Sequence, residues 1–365
     1  MTRTTDGSSE GWPPQPLAER HRLSVLPSPA ELLAAHGLAA AAEEPFPNDG
    51  WSGAQLTALI APDGRRFVLK RDAWERDWIC RATADSALRE ACLAALPPVL
   101  PEGIRAPFLG VARDGRGYLL LMPDLTGRLF DWQAVIDPDA LERVLAGMAR
   151  LHTGWSEPPA HDPVVAFPWC PLDRRLLLLT RACAEAYHAE GLPVARRFLD
   201  GWAAFEHHAP REAVDLVERL AADPAPLLTA LGRLPAAHLH GDLKLANVGF
   251  DVNGALLLVD WQMTLVAPVA VELGWFVVSN SGSLPMRAEV VLRRALEVLA
   301  ATPGGEAALG DAGAQADLAI LVGLLLRGWR KGLDVEAGER LPAGRAADDL
   351  RWWCRRALEA AGRRL

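Results

Sequence analysis

The chain has 365 residues, half of them hydrophobic, so it is long enough to bury a large core and to form two lobes. Its 38 basic and 46 acidic residues give a net charge of −8, which argues against nucleic acid as a general partner. The five cysteines form no Cys-x-x-Cys pair, the N-terminus lacks a signal pattern, and no apolar run is long enough to cross a bilayer. These features predict a soluble cytoplasmic protein with reduced thiols and no membrane partner.

The first part of the chain predicts a tail, a helix and a pair of strands. Residues 1–22 are rich in Ser, Gly and Pro and are expected to be a disordered tail. A capping serine, Ser28, precedes a proline and stands three residues before a glutamate, which predicts a helix over about 29–42. Two strand-like runs, 55–60 and 66–69, flank a turn of the Pro-x-Gly kind.

The middle of the chain alternates between one further strand and several helices. Apolar spacing in the segment that begins at residue 86 predicts a helix packed on the strand pair. Residues 118–125 have the form of a strand followed by a linker. A core helix is expected over 138–152, and residues 172–233 are expected to add three helical segments, with breaks near Pro193 and Pro210.

Residues 238–261 carry the most informative pattern. An Asn-Gly turn at Asn253 predicts a hairpin of two short strands, 248–250 and 255–259. This hairpin brings Asn247 and Asp260 to the same end. Asp242 lies five residues before Asn247, which leaves room for a loop that places its carboxylate beside the other two polar groups.

Such a constellation suits phosphoryl transfer, in which the enzyme mostly positions the reactants and neutralises charge. Asp260 is expected to bind a magnesium ion that bridges the phosphates of ATP. Asn247 is expected to bind a second magnesium ion. Asp242 is expected to accept the proton of the attacking hydroxyl.

A metal-hydrolase cluster is the rival interpretation of His238, His240 and Asp242, because these residues alternate along a strand end. Such sites need further histidines downstream, and the sequence has none after His240. We therefore expect His240 to tie the catalytic loop together by hydrogen bonds and His238 to have no chemical role.

The pattern His240-Gly-Asp242, four residues, Asn247, and then Asp260-Trp resembles the signature of the aminoglycoside phosphotransferase and choline kinase family. The resemblance implies an α+β, bilobal, protein-kinase-like fold with a small N-terminal antiparallel sheet lobe and a larger, mostly helical C-terminal lobe. It also implies that Lys244 contacts the transferred phosphate.

The same resemblance assigns roles to upstream residues. Lys70, at the end of the second strand, becomes the lysine that contacts the α and β phosphates, and Glu90 becomes its ion-pair partner, with Glu75 as the alternative. The glycine-containing loop before the first strand becomes the phosphate loop, with Ser52 and Gly53 as its contacts.

The strand and linker after residue 118 would bind the adenine. Met122 would line the base pocket, and the backbone of Pro123 and Leu125 would meet the adenine edge. The implied divisions are an N-terminal nucleotide-binding lobe over 23–122, a hinge over 123–127, and a catalytic and acceptor-binding lobe over 128–365.

The segment after Asp260 bears on the acceptor. It leads to a helix near Val269 too soon to include the peptide-binding segment of protein kinases, so a small-molecule hydroxyl acceptor is expected. A sugar, an amino alcohol and an antibiotic-like compound all remain open, although acidic residues only slightly outnumber basic ones in the second lobe, which disfavours a polycationic aminoglycoside. A nucleotide-binding pseudokinase and a protein kinase remain as alternatives. Trp275, Ser279 and Asn280 are candidate pocket residues, and Glu272, where the family usually has Asp, is expected to hydrogen-bond the catalytic loop.

Overall fold

A computed structural model describes residues 25–47, 50–95, 100–155, 167–338 and 343–365. An antiparallel sheet with three helices forms a small first lobe, and a mostly helical lobe follows it. The predicted α+β, two-lobed architecture is therefore confirmed. The expectation of a disordered tail over residues 1–22 falls outside the described residues.

The first lobe is built around the predicted strand pair. Its elements in chain order are α1 (Pro29–Ala35), β1 (Ala42–Pro45), β2 (Gln55–Ile60), β3 (Arg66–Asp72), α2 (Trp78–Ala82), α3 (Arg89–Ala95), β4 (Ile104–Arg105), β5 (Gly110–Asp114) and β6 (Gly117–Pro123). Within the described ranges, five of the strands form one antiparallel sheet in the order β1-β2-β3-β6-β5. Leu69 and Leu121 pair across β3 and β6 and pack with Leu32 of α1 on one face. Lys70, the next residue of β3, therefore points to the opposite face.

The first helix is shorter than predicted. It ends at Ala35 instead of continuing to residue 42, and residues 42–45 form a strand. Gly37 adopts a φ of 68°, and the amide of Leu38 donates to the carbonyl of Leu33. This left-handed glycine closes the helix in the manner of a Schellman cap. The prediction was wrong because the alanine-rich sequence after Gly37 continues the helical pattern.

The second lobe is mostly helical. Its elements are α4 (Pro138–Gly154), α5 (Leu172–Leu177), α6 (Arg181–Ala189), α7 (Pro193–His208), α8 (Arg211–Ala222), α9 (Ala225–Leu231), β7 (Ala237–Leu239), β8 (Val248–Phe250), β9 (Leu256–Leu258), β10 (Leu265–Ala267), α10 (Val269–Ser279), α11 (Ala288–Ala301), α12 (Gly305–Leu309), α13 (Ala312–Ala337) and α14 (Ala343–Arg364). The predicted helix over 138–152 is confirmed. Among the described residues, no helix combines the length and the apolarity that a membrane span requires.

The helical insertion before β7 is more divided than predicted. Breaks occur at the expected places before Pro193 and Pro210, but further breaks occur near Thr180 and Pro224. The described residues 172–231 therefore contain five helices, and the prediction of three was wrong. Proline at the start of a helix supplies no amide hydrogen to a preceding turn, which explains the break before α9.

Helix α13 lies in the centre of the second lobe and packs against α7, α10 and α14. Its contact with α7 is close because it is made at glycines. A Cβ atom at Gly201 would lie 2.7 Å from the carbonyl oxygen of Trp329, and one at Gly332 would lie 2.3 Å from the amide nitrogen of Phe205. These approaches fix the position of α13 relative to α7.

Candidate active site

The β8–β9 hairpin places Asn247 and Asp260 side by side, as predicted. Val248 pairs with Leu258, and Gly254 supplies the turn with a φ of 82°. The amide of Val259 donates to the carbonyl of Asn247 at 3.0 Å. Since Asp260 directly follows Val259, its carboxylate lies near the start of the hairpin.

Asp242 lies in a network with two of the predicted residues. Its Oδ2 atom accepts hydrogen bonds from Lys244 Nζ at 2.8 Å and from Asn247 Nδ2 at 3.0 Å. The Asn247 amide also donates to the main-chain carbonyl of Asp242 at 2.9 Å. Within the described part of the chain, Asp242 Oδ1 is buried and has no hydrogen-bond partner. One oxygen is thus held in place while the other can receive a proton.

The charges around this network favour ionised groups. Although burial alone would lower the pKa of Lys244, the Asp242 and Asp260 carboxylates raise it. Asp260 is subject to the opposite effects: burial would raise its pKa, but Lys70 and Lys244 hold that pKa at about 2. A cationic Lys244 and an anionic Asp260 therefore lie beside Asp242 at neutral pH.

Lys70 joins the two lobes through a buried ion-pair chain. Its Nζ lies 2.5 Å from Glu90 Oε2 and 3.0 Å from Asp260 Oδ1. Burial alone would lower the pKa of Lys70, but Asp260 and Glu90 raise it well above its usual value. The other oxygen of Glu90 accepts from the amide of Trp261 at 3.1 Å. Glu90 consequently holds both Lys70 and the loop that carries Asp260.

Asp260 has an unusual backbone conformation. Its φ of 67° and ψ of 64° lie in the left-handed region, which is uncommon for a non-glycine residue. Such conformations persist where the surrounding structure determines them, often at functional sites. Here the conformation turns the chain out of β9 and sets the Asp260 carboxylate against Lys70.

Buried polar side chains fix the backbone of the catalytic loop at Gly241. Glu272 Oε1 accepts from the Gly241 amide at 2.7 Å, and Glu272 Oε2 lies 2.8 Å from His152 Nε2. Arg175 donates from Nε and Nη2 to the Gly241 carbonyl at 2.9 and 2.8 Å. The expectation that Glu272 hydrogen-bonds the catalytic loop is therefore confirmed.

His240 is a structural residue. Its Nδ1 accepts from the Asp242 amide at 3.3 Å, and its Nε2 lies 3.1 Å from the carbonyl of Val259. Burial lowers its pKa, so the ring is neutral. Because both ring nitrogens are engaged, neither is left to bind a metal ion, which argues against the metal-hydrolase interpretation.

A cleft of about 640 Å³ opens beside these groups. Lys70, Glu90, Asp242, Asn247 and Asp260 all line it. So do the residues predicted to bind the adenine, namely Met122, Pro123 and Leu125. The structure therefore brings the predicted donor and catalytic residues together around one cavity.

The predicted phosphate contacts and the two candidate partners of Lys70 have different outcomes. Ser52 and Lys244 also line the cleft, whereas Gly53 packs against the backbone of Arg76, where a Cβ atom would lie 2.4 Å from the carbonyl oxygen. A phosphate contact from Gly53 remains a prediction. Glu75 pairs with Arg116 at 3.1 Å, so Glu90 and not Glu75 is the partner of Lys70.

A sequence profile of the phosphotransferase enzyme family matches residues 46–309. The chain belongs to this family. No curated protein is detectably similar to this phosphotransferase in sequence.

The chain is also similar to several solved structures. The choline kinase from Cryptosporidium parvum Iowa II shares the fold, with 10% identity, 88% of this chain and 90% of that chain covered, and a TM-score of 0.50. A choline/ethanolamine kinase family protein from Mesorhizobium loti is 17% identical, covers 90% of this chain and 98% of its own, and has a TM-score of 0.44. The macrolide 2′-phosphotransferase MphH from Brachybacterium faecium is 21% identical, with coverages of 88% and 96% and a TM-score of 0.39.

The predicted enzyme class is confirmed with the family. The chain is a phosphotransferase with a protein-kinase-like fold.

The helices of the second lobe supply a further wall of the cleft in the phosphotransferase. We call this the helical wall, which consists of Arg197, Trp275, Ser279, Arg327 and Arg330. The predicted pocket candidates Trp275 and Ser279 thus line the cleft.

Asn280, the third pocket candidate, lines the cleft but is engaged with the backbone. Its Oδ1 accepts from the Leu245 amide at 2.9 Å, and its Nδ2 donates to the Phe276 carbonyl at 2.7 Å. Asn280 therefore also holds the backbone of the catalytic loop at Leu245.

Sequence reasoning missed several residues of the site. His152 and Arg175 lie far in sequence from the loop they hold, and the sequence around them gives no local signal. Arg327 is different, because it directly follows the apolar run 318–326. A charged residue that continues such a run on a buried helix is a recognisable signal for a polar site.

Proposed function

We propose that this phosphotransferase moves the γ-phosphate of ATP, with magnesium, to a hydroxyl of a small molecule. The observation that carries the proposal is the arrangement of Asp242. One of its oxygens is fixed by Lys244 and Asn247, and the other is buried and has no hydrogen-bond partner in the described part of the chain. An acceptor hydroxyl is a group that would satisfy this oxygen.

The donor set fits magnesium. Asp260 is ionised and its side chain is 35% exposed to the cleft. The Asn247 amide nitrogen is used by Asp242, so the amide oxygen is the atom left to meet a cation. Carboxylate and amide oxygens are the ligands that magnesium prefers, and the bound ion would neutralise phosphate charge.

The nucleotide would lie along the first lobe. Met122 would contact the base, and the Pro123 carbonyl and Leu125 amide would meet the adenine edge. Lys70, which Glu90 positions, would contact the α and β phosphates. Because Glu90 also binds the loop that carries Asp260, movement of α3 would displace both groups together.

In the reaction that we propose, the acceptor oxygen attacks the γ-phosphorus, and the bond from that phosphorus to the bridging oxygen of ADP breaks. Asp242 Oδ1 takes the proton of the acceptor hydroxyl. Lys244 stays cationic beside Asp242 and would contact the transferred phosphate. Its charge offsets the negative charge that gathers between Asp242 and the phosphate.

An Asp242→Asn variant tests this mechanism. We expect its turnover to fall by about 10²–10⁴, the usual contribution of a general base. Stabilisation of the variant by Mg-ATP in a thermal-shift assay should remain. Asp200→Asn, an exposed residue of α7 paired with Arg196, is the matched control. Turnover at the wild-type rate in Asp242→Asn would refute the mechanism.

A nucleotide-binding pseudokinase is the alternative from another class. It is disfavoured because Lys70, Asp242, Asn247 and Asp260 are all present and assembled. Thermal stabilisation by ATP without turnover for any acceptor would favour the pseudokinase. A protein kinase is disfavoured by the short connection from Asp260 to α10.

The setting of the reaction is part of the same proposal. All five cysteines are free. Since ATP would be the donor, we propose a cytoplasmic location.

A further inference from the structure

A buried cluster of metal-ligating side chains lies in the first lobe, outside the catalytic cleft. It consists of Asp72 at the end of β3, Asp77 at the start of α2, and Cys80 within α2. One potential ligand atom from each residue lies within 4.8 Å of those of the other two. We call these three residues the Asp-Cys cluster. None of them lines the cleft, so the cluster is distinct from the groups that would bind the nucleotide.

The buried charges around the Asp-Cys cluster are not balanced. Four carboxylates are buried in this region, namely Asp72, Asp77, Asp85 and Glu90. Lys70 pairs with Glu90, and Arg89 pairs with Asp85. Within the described part of the chain, Asp72 and Asp77 form no ion pair. Because taking a charge out of water is costly, buried charges are usually paired or bound to a metal ion. A divalent cation would balance the two carboxylates.

Asp72 has a buried oxygen atom without a hydrogen-bond partner. Its side chain is 6% exposed, and among the described residues nothing donates to its Oδ1. In the protein without a bound ion, burial and then Asp77 raise the pKa of Asp72 to about 7, although Lys70 acts in the opposite direction. An unsatisfied buried oxygen lowers stability, and a metal ion is a group that would satisfy it.

The other two side chains of the cluster are oriented by hydrogen bonds. Gln262 Nε2 donates to Asp77 Oδ2 at 2.8 Å and to Cys80 Sγ at 3.1 Å. Asp77 Oδ1 accepts from the amides of Ile79 and Cys80 at 2.7 and 3.1 Å. Each carboxylate oxygen has two lone pairs, so Asp77 Oδ2 can accept from Gln262 and still bind an ion. Metal ligands in proteins are commonly oriented by such outer hydrogen bonds.

The donor atoms indicate which metal the cluster would bind. Magnesium and calcium are hard ions that prefer oxygen ligands alone, whereas a thiolate with carboxylates suits zinc. Burial and then Asp77 raise the pKa of the Cys80 thiol, so the thiol is not a nucleophile by itself. Zinc would bind the sulfur as a thiolate and release the thiol proton to solvent.

We propose that the Asp-Cys cluster binds a zinc ion through its two carboxylates and its thiolate. The ion would connect β3 to α2 and, through Gln262, to the loop that follows Asp260. Lys70 lies two residues before Asp72 in β3 and binds Asp260. The zinc ion would therefore stabilise the junction between the lobes at which Lys70 meets Asp260, without contacting the nucleotide.

Zinc binding to the intact protein tests the proposal. The protein is treated with a chelator and then dialysed against zinc chloride with an excess of magnesium chloride, which occupies the oxygen ligands of the cleft. Bound zinc is measured by inductively coupled plasma mass spectrometry, and we expect about one ion per chain, as a single three-ligand site would give. The melting temperature should rise by about 3 °C or more at a zinc concentration about one hundred times the dissociation constant.

Cobalt provides a second readout that is specific for the sulfur ligand. Co²⁺ in place of zinc should give thiolate-to-cobalt charge-transfer absorption in the near ultraviolet. Oxygen ligands, such as those of Asp260 and Asn247, do not give this absorption. The band therefore distinguishes an ion at the Asp-Cys cluster from an ion in the catalytic cleft.

Substitutions identify the ligands. Asp72→Asn keeps the shape of the side chain and removes its charge, so we expect zinc affinity to fall by about tenfold or more. After chelator treatment this variant should be no less stable than the wild type, which separates loss of the ion from failure to fold. Cys80→Ser should lose the cobalt band as well as the zinc. Cys92→Ser, at a partly buried cysteine of α3, is the matched control and should keep both.

Three outcomes would overturn the proposal. If the wild-type protein binds no zinc and its melting temperature does not change, the two carboxylates are balanced by a shared proton instead. Zinc binding that is unchanged in Asp72→Asn and Cys80→Ser would place the ion elsewhere. Cobalt binding without the charge-transfer band would exclude the thiolate. None of these outcomes bears on the proposed function, which is tested separately at Asp242.

Discussion

Shortening Glu272 by one methylene should disconnect the catalytic loop from its support. The two oxygens of Glu272 hold the Gly241 amide at 2.7 Å and His152 Nε2 at 2.8 Å. In Glu272→Asp the carboxylate retreats by about 1.5 Å, so only one of the two bonds can be kept. A charge-assisted hydrogen bond contributes about 1.5–3 kcal/mol, and the lost methylene adds about 1 kcal/mol, which predicts a destabilisation of about 2.5–4 kcal/mol.

Urea unfolding and steady-state kinetics measure the effect of Glu272→Asp. Because Gly241 directly precedes Asp242, we also expect kcat to fall by about tenfold or more from misplacement of the base. Hydrogen bonding to His152 and Gly241 lowers the pKa of Glu272 against the effect of burial. Its contribution is therefore present above the unfolded pKa of about 4.3 and lost as the pH falls below it. Glu306→Asp, an exposed residue of α12, is the control. Unchanged stability and kcat in Glu272→Asp would refute this account of the loop.

Two further predictions concern backbone strain and pH. Gly241→Ala should lower stability by about 3 kcal/mol or more and kcat by about tenfold, because Gly241 has a φ of 83° and a Cβ atom would lie 1.9 Å from the Met263 carbonyl oxygen. Gly64→Ala, with a φ of 87° and nothing within 4 Å, should cost only the strain of about 1–2 kcal/mol, and equal losses would contradict the contact argument. Burial, and then neighbouring carboxylates, raise the pKa of Asp72 to about 7. The stability that its protonated form contributes is present below about pH 4 and is lost as the pH rises through 7, by up to about 4 kcal/mol. Urea unfolding at pH 5 and pH 8 should therefore show a smaller loss in Asp72→Asn than in the wild type, and equal losses would contradict the prediction.

The catalytic loop and the hairpin could be predicted because their determinants are local. Asp242, Asn247 and Asp260 lie within nineteen residues, and an Asn-Gly turn fixes how the two strands return on each other. The Lys70–Glu90 pair was implied by the family resemblance, whereas the apolar spacing around Glu90 indicated only a helix packed on the strand pair. The end of the first helix was predicted too late, although the signal that ends it is also local: Gly37 forms the left-handed cap.

The support of the loop and the charge of the cleft depend on the tertiary fold. Arg175 reaches Gly241 across 66 residues, and His152 reaches Glu272 across 120. No local pattern indicates which buried polar groups hydrogen-bond each other at such separations, because the pairing depends on how the helices pack. The close contact of α13 with α7 likewise sets which of its residues face the cleft, and the sequence shows this helix only as an apolar run.

Helix α10 both supports the catalytic loop and lines the cleft. Glu272 of α10 and Asn280, which caps the C-terminus of that helix, hold the catalytic loop at Gly241 and Leu245. Trp275 and Ser279, on the same helix, line the cleft, so changes that reshape α10 would disturb the loop as well. Arg327, on α13, lines the cleft as well. Substitutions that alter the cleft from α13 should therefore disturb the catalytic loop less than substitutions on α10, which carries residues that hydrogen-bond the loop backbone.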